Sequence, residues 1–127
     1  MITKILNKYK ANRDYYYPDT PKADYGDVSK LRELENKLLD KWKEHIPPRW
    51  YGFSLAPCPE SWFYIVDEFL DYLVTLDPNL EVQQVKLKFG GIRMYLNLKI
   101  EDEETLEFAR LQIDKLEWTL FDTKLIY

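Results

Sequence analysis

Cysteine and histidine are nearly absent: the 127 residues hold one Cys58 and one His45. A lone cysteine excludes a disulfide within the chain and a cysteine-built zinc site, and fits a reducing, cytoplasmic setting. Without a second histidine there is no His-rich metal centre. No apolar run approaches the ~20 residues a membrane span needs. The opening "MITKILNKYKANR" lacks the apolar core of a signal peptide. Positive charge is the minority: 18 Lys and Arg against 22 Asp and Glu leave a net charge of -4 and a pI near 5.1. That balance argues against general nucleic-acid binding. No Walker, GxGxxG or GxSxG motif occurs. No spacing of carboxylates singles out an acid/base pair.

These absences read as a protein that is not an enzyme and needs no metal or cofactor. Cys58 stands between two prolines ahead of a helix. A helix N-terminus lowers a thiol pKa, so a reactive cysteine and a small buried hydrophobe are both open, the second being expected. His45 sits at a helix end before two prolines, a structural or solvated position.

Aromatics are plentiful, at 16% with ten Tyr and four Trp. Large aromatics serve cores and binding faces alike. Residues 3–12 fit a short helix. Asp14–Gly26, "DYYYPDTPKADYG", is punctuated as a loop or extended arm. Its tyrosines, Tyr15, Tyr16 and Tyr17 foremost, either lie back on the core or anchor a partner. Residues 1–26 are thus a short helix with a Tyr-rich arm, and 27–127 a single core domain.

Within 27–127 the spacing predicts three helices. Val28, Leu31, Leu34, Leu38 and Trp42 recur at helical spacing. Asp27 is a candidate cap, and Pro47 and Pro48 stop the helix. Pro59 sits where a first helical turn tolerates it, and "ESWFYIVDEFLDYLVTLD" carries a wide apolar stripe. After residue 100, Leu106, Ala109, Ile113, Leu116 and Leu120 share a face, behind four acids at 101–104. Residues 80–89 and 92–100 alternate as strands. The final "DTKLIY" is a third strand or a tail. The expected fold is α+β: a small antiparallel sheet of two or three strands packed against about three helices.

The strands meet at Gly90 and Gly91, residues suited to a two-residue hairpin turn. That turn pairs Lys88 with Arg93, Leu87 with Met94, Lys86 with Tyr95 and Gln84 with Asn97. Alternation puts Val85, Leu87, Phe89, Ile92, Met94, Leu96 and Leu98 on a core face. Gln84, Lys86, Lys88, Arg93, Tyr95 and Asn97 take the other. Like charges opposed across a strand pair cost stability. Either the protein's own acids answer them, from 101–104 or Asp67 and Asp71, or the face binds an anion. For an anion, Arg93 offers a planar fork, Tyr95 a stacking surface, and Gln84 and Asn97 hydrogen bonds.

From Cys58 to about Leu116, "CPESWFYIVDEFLDYL" and "VQQVKLKFGGIRMYL" resemble a family of small, largely uncharacterised phage, prophage and bacterial proteins. The family pattern is a Cys or Gly leading into a Trp-containing helix, a "QVKxKFGGLRxY" hairpin, then a helix. Gln84 to Tyr95 carries the most specific part. Where the family has an acid between the two lysines, this chain has Leu87, so that counter-charge is missing. The family's Cys-rich tail has no counterpart, and metal binding does not carry over. The resemblance implies a phage or prophage origin and brings no activity with it.

Three functions stay open. One is a phage-type inhibitor, plausibly counter-defence, that occupies a host protein through the Tyr-rich arm and acidic helix faces. Another is sequestration of an anionic, nucleotide-like signalling ligand on the basic hairpin face, by one chain or a homodimer. The third is an accessory or structural protein. In each case the expected setting is the cytoplasm, that of the host cell if phage-encoded, with no membrane contact.

Overall fold

The computed structural model describes residues 2–5, 28–88 and 91–122. Among them the order is α1 (Val28–Trp42), a 3₁₀ turn (Lys43–His45), β1 (Gly52–Ser54), α2 (Glu60–Leu76), β2 (Glu81–Lys88), β3 (Gly91–Asn97) and α3 (Glu103–Asp122). The fold is α+β, as expected. Residues 2–5 are also helical, and Ile2 and Ile5 are buried. The rest of the expected 3–12 helix, the Tyr-rich arm, Asp27 and "DTKLIY" lie outside the described residues.

The most apolar helix sits at the centre. α2 buries Trp62, Phe63, Ile65, Val66, Phe69, Leu70 and Leu73. Its apolar positions cover so much of the circumference that it meets neighbours on several sides. α1 supplies Leu31, Leu38 and Trp42 to the same cluster, β2 and β3 supply Val82, Val85, Ile92 and Met94, and α3 supplies Ala109, Ile113, Leu116 and Leu120. Val28, counted with the apolar face of α1, is exposed, because it opens the helix beyond the reach of the core. Pro59 is the N-cap of α2 rather than its first residue. Its carbonyl accepts the Trp62 N–H at 2.9 Å.

The sheet has three strands in the order β1–β2–β3. β3 runs antiparallel to β2, and β1 runs parallel to it. The third strand comes from "PPRWYGFSLAPCP", which the sequence presents as a linker. Three residues are too few for alternation to register. Its glycine is required by backbone and space: Gly52 has φ +72°, and a Cβ there would meet Ile46 Cδ1 at 2.6 Å and Leu39 Cδ2 at 3.1 Å.

The hairpin register corrects the expected one by two residues. Lys86 faces Arg93, Leu87 faces Ile92 and Lys88 faces Gly91. Tyr95 stands opposite Gln84 instead of Lys86, and Met94 opposite Val85 instead of Leu87. Gly91, expected in the turn, opens β3, and Phe89 and Gly90 lie outside the described residues. Side-chain alternation is blind to a slip of two, because every residue keeps its face. An irregularity between Val82 and Gln84 lets Val82 and Val85 both turn inward.

Helix glutamates hold the outer edge of β3 and the chain just beyond β1. Glu35 of α1 accepts the Leu55 and Ala56 N–H groups just past β1, at 2.5 and 3.1 Å through Oε1. Glu117 of α3 accepts the Met94 N–H of β3 through Oε2 at 2.7 Å. Edge N–H groups left bare invite pairing with another chain. Asp77, buried at the end of α2, accepts the Lys99 N–H at 2.7 Å and so fixes the exit of β3.

Candidate functional site

One face of the sheet is core, and the other is open. Across the open face the register builds two rows: Ser54–Lys86–Arg93 and Gly52–Gln84–Tyr95. Ser54, Lys88, Arg93 and Tyr95 are exposed, while Gln84, Lys86 and Asn97 are half-buried. Five of the six expected hairpin residues are thereby brought together on this face. The sixth, Asn97, is engaged: its Nδ2 donates to Glu81 Oε1 at 2.8 Å, and Lys99 lies 3.4 Å from the same oxygen. Tyr15, Tyr16 and Tyr17 lie outside the described residues.

The like-charge pair exists, but it is Lys86 with Arg93, not Lys88 with Arg93. Lys86 Nζ sits 5.6 Å from the centroid of the Tyr95 ring. No carboxylate lies within ion-pair distance of Lys86 among the described residues. Arg93 has a partial answer in Glu117, with Nη1 and Oε1 3.6 Å apart and the arginine side chain half exposed.

Three of the counter-charges expected for this face, Asp67, Asp71 and Asp102, are used elsewhere. Asp67 and Asp71 hold Lys41 at 2.9 and 3.1 Å, and Asp67 also accepts the Trp42 Nε1–H at 2.9 Å. Asp102 caps α3, accepting from Thr105 Oγ1 at 2.6 Å and Thr105 N at 2.9 Å. Those bonds hold its carboxyl below the usual range. Acids concentrate at a helix start for its dipole and caps, so their number says little about which cation they meet.

A cleft of about 300 Å³ opens where the basic end of the sheet meets α3, lined by Lys88, Ile92, Arg93, Asp114, Glu117 and Trp118. The three helix residues escaped the sequence reading, although a signal was present. At 100° per residue, Trp118 and Leu111 fall opposite the buried Ala109–Ile113–Leu116–Leu120 face and Phe108 on its flank, and all three are exposed. A tryptophan on the wet side of a helix needs a reason. Glu117 is the most enclosed of the cleft's acids. Burial raises its pKa above the ordinary value, despite the Met94 N–H and Arg93, which pull it down.

The remaining candidates carry structure. Cys58 is fully buried, with its Sγ 3.4 Å from the Pro59 carbonyl. Burial pushes the thiol pKa strongly up, and Glu35 adds to the rise. The small buried hydrophobe is the reading that fits. His45 Nδ1 donates to the Leu80 carbonyl at 2.9 Å, which sets its tautomer, and its ring meets Trp42 edge-on at 5.4 Å. Among the described residues no cluster of three or more His, Cys, Asp or Glu is arranged to hold a metal. No helix there is long and apolar enough to cross a membrane.

No protein-family model, curated protein or solved structure matches the chain.

Proposed function

We propose that this is a non-catalytic binding protein that holds a phosphate-bearing, nucleotide-like ligand on the open face of its sheet. The observation that carries this reading is the Lys86–Arg93 pair. Two cations are held opposite each other, at a cost, and Lys86 has no carboxylate partner among the described residues. An anion bridging them turns that repulsion into attraction, and arginine adds its planar fork. Tyr95 and the half-buried Gln84 supply a ring and an amide beside the charge. In a phage or prophage protein, which the sequence resembles, such binding would serve counter-defence by sequestering a signalling nucleotide.

The test is thermal unfolding with ADP, GDP, cyclic AMP and pyrophosphate. A ligand at 100 times its Kd stabilises by about 2.7 kcal/mol, a rise of several degrees for a domain of this size. Lys86→Glu with Arg93→Glu should abolish the rise. If no phosphate compound shifts the wild type, or if the double variant shifts as the wild type does, the reading is wrong.

A second reading, occupation of a host protein, has an observation of its own. Arg49 adopts φ +77°, and the adjoining Trp50 and Tyr51 are exposed. Arg, Trp and Tyr are the residue types that dominate protein interfaces. Trp50→Ala with Tyr51→Ala should then abolish capture of a host protein that the wild type retains, and unchanged capture would remove this reading.

A further inference from the structure

We propose that the cleft between β3 and α3 receives the base of the bound nucleotide, and that guanine is the ring it prefers. This rests on the anion-binding reading above and extends it from the phosphate to the base.

The cleft has two chemically different walls. Arg93 and Lys88 stand on the sheet side, and Asp114, Glu117 and Trp118 on the helix side. Arg93 belongs both to this wall and to the Lys86 pair on the open face. A phosphate held at that pair therefore places the rest of its molecule at the mouth of the cleft. Its volume, about 300 Å³, lies at the small end of ligand pockets, which suits one nucleotide and not an oligomer.

Trp118 is 63% exposed. Base stacking on an aromatic face contributes about 1–3 kcal/mol and covers an indole that otherwise stands in water. Stacking alone does not choose among bases, whereas the carboxylates do. Asp114 and Glu117 are three residues apart, on neighbouring positions of the helix surface. Asp114 pairs with no cation among the described residues, and its charge acts on Glu117. Ionised carboxylates only accept hydrogen bonds. Guanine presents two adjacent donors, N1–H and the N2 amino group, to such an acceptor. Adenine presents a single donor beside the N1 lone pair, which a carboxylate repels. Uracil and thymine offer one donor between two carbonyl acceptors. The cleft thus favours the ring with paired donors and opposes those with an acceptor in that place.

The experiment is titration calorimetry of the full chain with GDP, ADP and pyrophosphate, alongside Asp114→Asn and Trp118→Ala. Both altered side chains are exposed, and an unchanged melting temperature verifies folding. GDP should bind about tenfold or more tightly than ADP, the discrimination expected of one bidentate contact. Asp114→Asn should remove that preference and leave pyrophosphate affinity within about twofold. Trp118→Ala should weaken both nucleotides and spare pyrophosphate. Equal affinity for GDP and ADP, with binding still lost in the Lys86→Glu, Arg93→Glu variant, overturns the base assignment and leaves the anion reading standing. Absence of binding by all three compounds overturns both.

Discussion

Glu117 accepts the backbone N–H of Met94 at 2.7 Å. The same carboxylate faces Arg93 with its other oxygen. One helix residue therefore both closes the outer edge of β3 and sets the charge beside the candidate site. Its neighbourhood governs the first expected outcomes.

Glu117→Ala removes the acceptor of the Met94 N–H and should cost about 1–2 kcal/mol, whereas Glu117→Gln retains an acceptor oxygen and should cost less. The two also separate by pH. The folded-state pKa of Glu117 lies above its ordinary value, with burial the largest cause. The folded protein therefore binds that proton more tightly than the unfolded chain does. This carboxyl's contribution to stability is greatest below its unfolded pKa and falls as pH rises through its folded pKa. Urea unfolding of wild type and Glu117→Gln, from pH 4 to pH 7, should show the wild type losing relative stability across that rise.

Lys86 and Arg93 oppose each other without a bound anion. Lys86→Thr should therefore leave the free protein as stable as the wild type or more so, by about 0.2–1 kcal/mol, and most visibly at low salt. The same change should weaken phosphate-ligand affinity. Denaturation at low and high ionic strength, paired with ligand titration, checks both signs. A loss of stability at low salt would show that Lys86 supports the fold.

Gly52→Ala should destabilise by about 2–4 kcal/mol, combining a strained left-handed backbone with overpacking. The added methyl meets Ile46 and Leu39. Because Ile46 approaches with the end of a flexible side chain, Gly52→Ala with Ile46→Val should recover part of the loss. Thermal melts of the single and double variants measure it.

Cys58 should be inert toward a thiol reagent at pH 8 in the native protein. It is fully buried and its thiol pKa is pushed up, so neither access nor thiolate is present. Labelling should appear in denaturant at the rate of a free thiol. Rapid labelling of the folded chain would restore the reactive-cysteine reading.

Much of the helical framework was legible in the sequence. The α2 stripe from Trp62 to Leu73 and the α3 face from Ala109 to Leu120 are periodic over many turns, and period reports burial when one face meets a core. The two faces of the hairpin were legible for the same reason. Its register was not, since Lys88 and Lys86 sit on one face in either pairing and alternation cannot separate slips of two. β1 was hidden by brevity. Glu117 and Asp114 were hidden among the chain's 22 acids, because only folding decides which carboxylate approaches which cation.

The sequence by itself thus determined the α+β class, the central helix, and a hairpin with one apolar side and one basic side, all consequences of local period and turn chemistry. Tertiary structure decided what the basic side meets. It sent Asp67 and Asp71 to Lys41, brought Glu117 to Met94 and Arg93, and set Trp118 beside Arg93 in one cleft. Those contacts join residues far apart in the chain, and charge pairing over such separations is fixed by packing geometry and not by spacing along the sequence.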